Sequence, residues 1–194
     1  MDWKEYIEQA KITESHIEEL NISADFLVAA LTLNHISAEI LDCVKKLAFY
    51  NNPKKLEENI KNLLVQLELE LYTLKHYEST PRSALYGEDA VKPDVNTRIA
   101  HCLIGMITEA GELSEAFAKA IHTGEFDVVN LKEEFFDSDW YKAIGSDEMG
   151  IDWGEGWQNN IDKLRSRYKG SYSDDATANR DLNAERQILE GNKP

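Results

Sequence analysis

The sequence predicts an all-α protein, a helical bundle made of two helix-hairpin halves. Three observations predict it. The 194 residues hold only four prolines and ten glycines, too few turn formers for many short strands. Apolar residues recur at three- and four-residue spacing through long stretches, the period of a helix buried on one face. The breaks in that pattern are few: Asn51-Asn52-Pro53, the stretch 79–97 with Pro81, Gly87 and Pro93, and Thr123-Gly124.

Taken in order, Trp3, Tyr6, Ile7 and Ala10 among charged neighbours predict a short amphipathic helix and a turn within 1–20. Ser23 suits an N-cap. A long helix is expected over 26–49, carrying Leu27, Leu31, Ile36, Ile40, Val44 and Leu47. Pro53 ends it. A second helix follows over 54–77, with Leu56, Ile60, Leu63, Leu67, Leu71 and Leu74 on one face. Residues 81–97 read as a linker after a first half of 1–80. A third long helix spans 97–122 and stops at Gly124; a fourth covers 130–144. Residues 145–150 read as a turn, and 151–168 as a helix with Ile161, Leu164 and Tyr168 inward. The second half is thus 98–170, and 171–194 a polar C-terminal arm.

Composition narrows the function classes. The formal net charge is −15, and neither half is basic, which speaks against binding the phosphate backbone of nucleic acids. The N-terminus lacks a hydrophobic signal core, and no uninterrupted apolar run approaches the ~18 residues of a membrane helix. A cytoplasmic protein without a membrane partner is expected. Cys43 and Cys102 sit in apolar helical patterns and read as buried free thiols. His16, His35, His76, His101 and His122 are scattered and read as surface or packing residues.

Two helices of the second half each carry a pair of acids three residues apart: Glu109 with Glu112, and Glu134 with Asp137. Residues at that spacing share a helix face. Side by side, the two helices would bring four carboxylates to one point, and like charges gathered so closely make physical sense around a cation. Carboxylate oxygens suit Mg²⁺, with Mn²⁺ as an alternative, rather than zinc. Such an ion polarises phosphoryl oxygens, so a nucleotide or another polyphosphate is the expected substrate. A solvated acidic face is the plainer reading of either pair alone. No Glu-x-x-His, Cys-x-x-Cys, Gly-x-x-x-x-Gly-Lys or Gly-x-Ser-x-Gly pattern competes.

The halves also overlay. At an offset of 73, Glu39 falls on Glu112, Asp42 on Glu115 and Lys46 on Lys119; beyond a turn shorter by two, Asn59 falls on Asn130 and Lys61 on Lys132. The first half then reads as a degenerate copy of the second. Ile36 stands at the place of Glu109, Leu63 at that of Glu134 and Gln66 at that of Asp137. An unrelated hairpin capping the second half is the rival reading.

Glu109-Ala-Gly-Glu112, followed by Glu134-Phe-Phe-Asp137-Ser-Asp-Trp-Tyr141 and then Asn160-Ile-Asp-Lys163-Leu-Arg-Ser-Arg167-Tyr168, resembles the MazG-like all-α NTP pyrophosphatase superfamily. The next residues, 170–174, are similar to its phage-type branch. The resemblance spans about 98–175. It implies an enzyme that splits a nucleoside triphosphate into monophosphate and pyrophosphate, with Glu109, Glu112, Glu134 and Asp137 as catalytic Mg²⁺ ligands. Lys163 and Arg167 are then expected to hold phosphates, with Asn160 and Tyr141 near the substrate. Phe136 stands where the family usually carries glycine, and Asp139 where an apolar residue is common. The family's dimers imply either a homodimer or a pseudo-dimer within one chain, with 21–78 as a built-in partner. Two other classes remain open: a protein that binds or sequesters a nucleotide without turnover, and a helical interaction module with an acidic surface.

Overall fold

The computed structural model describes residues 1–169 and 172–191, and among them there are helices and turns but no strand. The helices are α1 (Trp3–Thr13), α2 (Ala24–Tyr50), α3 (Lys54–His76), α4 (Arg82–Tyr86), α5 (Thr97–Thr123), α6 (Val128–Met149), α7 (Trp153–Tyr168), α8 (Asp174–Ala178) and α9 (Leu182–Leu189), with a 3₁₀ turn at Tyr77–Ser79. Of the stretch 170–174, residues 170 and 171 lie outside the described residues, as do 192–194 of the C-terminal arm.

Local chemistry sets the helix ends. Asp2 and Glu5 form a reciprocal capping box at α1. Ser23, Asp127, Asp152, Ser173 and Asp181 accept from the first free N–H groups of α2, α6, α7, α8 and α9. Asn51 ends α2 in the left-handed region at φ 49°. The expected turn at 145–150 is corrected: α6 continues through it to Met149 and stops at Gly150, φ +61°. Gly145 does not break the helix because its missing side chain serves packing. A Cβ there would lie 2.3 Å from the Cys102 sulfur.

The chain divides into two compact units, Met1–Ser15 with Arg98 onward, and His16–Thr97. The first helix therefore belongs with the C-terminal unit. There, α1 lies on α6, where Lys11 pairs with Asp147 at 3.0 Å and the Trp140 indole N–H donates to Thr13 Oγ1 at 2.9 Å, and it reaches the start of α7, where Trp3 meets Trp153 edge-on at 4.9 Å. Arg98, in the first turn of α5, binds both oxygens of buried Glu14 and also reaches Asp147 and Glu148. The arm is tied down where α9 meets α7: Arg167 donates twice to Glu185, at 2.8 and 2.7 Å, and Arg180 donates to the same carboxylate. Those two guanidinium groups hold the Glu185 carboxyl down at about 2.

The other unit is the α2–α3 hairpin with the segment that follows it. Its core is Ile36, Cys43 and Leu63, with Ile40, Leu56 and Leu67 packed against them. The stretch after α3 is pinned to the start of α2, since Ser23 N–H donates to the Leu85 carbonyl and Ala24 N–H to that of Val91. Among the described residues α2 is the one helix long and apolar enough to cross a membrane, by length and composition only. It carries Glu39 and Asp42, both paired with Lys55 of α3. Cys43 and Cys102 are both buried free thiols.

Candidate metal centre

The centre is built by α5 and α6 running antiparallel. Two close approaches fix their register. A Cβ on Gly105 would fall 2.2 Å from the Tyr141 ring, and one on Gly145 would strike Cys102. In that register residue numbers across the pair add to 246 or 247, so Glu112 lies opposite Glu134 and Glu109 opposite Asp137. Without the two glycines the helix backbones could not approach so closely.

Glu109, Glu112 and Glu134 converge: one carboxylate oxygen from each lies within 4.8 Å of the others. Glu109 and Glu134 are buried, at 7% and 5% exposure, while Glu112 is exposed at the rim. Asp137, the fourth predicted acid, stands one turn along α6 from Glu134, and its charge is felt by Glu109 and Glu112. The Asn130 side-chain amide donates to Glu134 Oε1. No lysine or arginine forms an ion pair with any of the four among the described residues.

That arrangement raises the proton affinity of Glu109 and Glu112. Burial, the adjoining side chain of Glu134 and the charges of Glu112 and Asp137 push Glu109 up from the ordinary glutamate value. Glu112 is pushed up chiefly by the charge of Glu134. Tyr141, against Gly105, is raised by burial and then by Glu109, Asp137 and Glu112. The donor set fits a hard divalent cation. Ligands at the ~2.1 Å of an octahedral Mg²⁺ lie roughly 3 to 4 Å apart, and oxygens within 4.8 Å of one another need only a small adjustment.

The basic candidates are on α7. Asn160, Lys163 and Arg167 share one face by their three- and four-residue spacing. Lys163 is half-buried with no ion-pair partner among the described residues, whereas Arg167 is committed to Glu185. A cavity of about 550 Å³ lined by Arg167, Tyr168, Lys169, Asn179, Arg180 and Glu185 lies beside them, and none of the four acids lines it. Phe136, in the place of the family's glycine, points away from the helix pair at 63% exposure, and its carbonyl accepts from the Tyr6 hydroxyl at 3.3 Å.

Sequence reasoning passed over two residues near the acids. Asn130 overlays Asn59 across the two halves, but nothing in its spacing marks it as the partner of Glu134. Tyr6 lies 130 residues away in the chain from its contact, and no local pattern could join it to Asp137 and Asp139, whose charges raise its hydroxyl after burial does. Comparison with family models, curated proteins and solved structures returns no match for the chain.

Proposed function

We propose that the chain is a Mg²⁺-dependent nucleoside triphosphate pyrophosphohydrolase, a MazG-like all-α enzyme that releases pyrophosphate and leaves the monophosphate. The observation that carries this reading is the convergence of Glu109, Glu112 and Glu134 without a counter-cation of their own. Glu109, Glu112, Glu134 and Asp137 would hold Mg²⁺, or Mn²⁺ in its place. A divalent cation there supplies Lewis-acid polarisation of a phosphoryl oxygen and a more acidic water. The chain's own part is to gather the four carboxylates where a divalent cation can bind them and to orient the nucleotide. Glu134 is oriented by Asn130; Tyr141 presents a hydroxyl beside Glu109; Lys163 has an uncommitted ammonium for phosphate oxygens.

The α2–α3 hairpin supports the reading by contrast, and we read it as a degenerate copy of the α5–α6 hairpin. Its overlaid acids, Glu39 and Asp42, close on the Lys55 ammonium at 2.8 and 2.6 Å. An internal cation thus sits where the other hairpin has none.

The test is pyrophosphate release across a panel of NTPs and dNTPs with and without Mg²⁺, alongside Glu134→Gln. Release that needs the metal and vanishes in the variant supports the enzyme. A second reading, a nucleotide binder without turnover, is favoured by one observation: Nε and Nη2 of Arg167 are held by Glu185, and that edge of the guanidinium is withheld from phosphate. Tight binding with no release would select it.

A further inference from the structure

The Glu185 carboxylate is held by two guanidinium groups at once. Its Oε1 accepts from Nε of Arg167 at 2.8 Å and from Nε of Arg180 at 3.2 Å. Its Oε2 accepts from Nη2 of each, at 2.7 and 2.6 Å. Two forks thus present four N–H groups and two positive charges to one carboxylate, which has two oxygens and a single negative charge. A terminal phosphoryl group offers three oxygens and up to two charges, the better complement to a pair of guanidinium forks.

The contact holds more than a side chain. α9 runs antiparallel along α7: Glu185 meets Arg167 near the C-terminal end of α7, and Gly191 comes beside Glu155 near its start. It therefore passes Lys163, the half-buried lysine without an ion-pair partner among the described residues. Of the α9 side chains, Glu185 and Ile188 are buried, whereas Leu182 and Leu189 are 63% and 46% exposed. One ion-paired carboxylate and one apolar side chain are thus its main hold. A helix of eight residues is too short to persist without that docking.

A way in lies next to the two arginines. The cavity of about 550 Å³ has Arg167, Lys169, Arg180 and Glu185 on its wall, and its size suits a small ligand. Asp175 and Asp181 also line it; the first accepts from the Asn179 amide and the second caps α9. With Glu185 withdrawn, three cations face those two carboxylates, and the balance favours an anion.

We propose that Arg167 and Arg180 form an oligophosphate site that α9 keeps closed, with Glu185 in the place of a terminal phosphoryl group. An entering oligophosphate displaces Glu185, and α9 leaves α7. The choice of ligand rests on the proposed nucleotide chemistry, but the exchange of partners needs neither Mg²⁺ nor hydrolysis.

Hydrogen exchange and titration calorimetry on the full metal-free chain test it. Inorganic pyrophosphate is the probe, and potassium chloride at matched ionic strength is the control. Saturating pyrophosphate should speed amide exchange over 182–189 about tenfold or more, with α5 and α6 unchanged. Glu185→Gln should bind pyrophosphate about tenfold more tightly. Ile188→Ser, which loosens α9 but leaves Glu185 and both arginines chemically intact, should also tighten binding, as a mere change of charge would not explain. If ATP and pyrophosphate both open α9, the phosphoryl group suffices; if ATP alone does, the ligand is the whole nucleotide. The proposal is overturned if neither ligand speeds exchange over 182–189, or if the two variants bind no more tightly than the wild type. Pyrophosphate release under Mg²⁺ with α9 still docked would leave the enzyme standing and remove this site; opening without release would do the reverse.

Discussion

Glu109 is a buried carboxylate whose neighbours are other carboxylates, and that sets the sign of its contribution to stability. Burial and like charge raise its proton affinity in the folded chain above the ordinary value of 4.5. Its favourable contribution is complete below that value and is lost as pH rises through the raised one. The metal-free protein should therefore lose stability on going from mildly acidic to neutral pH in thermal melts. Glu109→Gln removes the charge but keeps the shape; at neutral pH it should raise the metal-free Tm by a few degrees, about 1 kcal/mol in a protein of this size. In the wild type, Mg²⁺ at about a hundredfold over its dissociation constant should add about 2.7 kcal/mol; in the variant it should add almost nothing. Pyrophosphate release should fall with it by at least about a hundredfold. Glu39→Gln should behave oppositely: its carboxylate is held down by Lys55, so the change should leave release nearly intact. Equal losses of release in the two variants would sink the assigned asymmetry between the hairpins.

At the scale of elements, the decisive contact is the α5–α6 approach. Gly145→Ala places a methyl on the Cys102 sulfur, a short side chain that is itself buried, and the helices must part. A loss of about 1–3 kcal/mol is expected from overpacking, and the Mg²⁺-dependent rise in Tm should shrink because the glutamates separate. An unchanged Mg²⁺ shift in Gly145→Ala would detach the metal centre from this packing. The α7–α9 contact makes a separate prediction. Glu185 is held at about 2 against an ordinary 4.5, so its contribution is present above 4.5 and is lost as pH falls toward 2. Glu185→Gln should accordingly loosen α9, seen as faster amide exchange over 182–189 at neutral pH with α5 and α6 unaffected. The helix period and the Ser, Asp and Gly stop signals made most helix spans readable from the residues alone. Gly145 misled because one residue type serves both turns and close approaches, and only the partner helix tells them apart. Arg167 is readable as a cation on a useful face, but its claim by Glu185 depends on an arm eighteen residues downstream whose periodic signal is only the weak run of Leu182, Ile188 and Leu189.

For the molecule as a whole, net charge governs how a nucleotide arrives. The chain carries −15, and a triphosphate is itself strongly anionic, so their long-range encounter is repulsive whatever the centre does at contact. The Debye length shrinks from ~30 Å at 0.01 M salt to ~10 Å at 0.1 M, which removes most of that repulsion while leaving short contacts in the cleft largely intact. At saturating Mg²⁺, kcat/KM for the proposed reaction should therefore rise with added monovalent salt over this range, and kcat should change little, because the effect lies in association rather than chemistry. A protein built to gather anions with a basic rim would show the reverse slope. The measurement is a steady-state series at fixed free Mg²⁺ with potassium chloride varied. A fall in kcat/KM would mean that a local cluster such as Lys163 and its neighbours outweighs the charge of the whole chain.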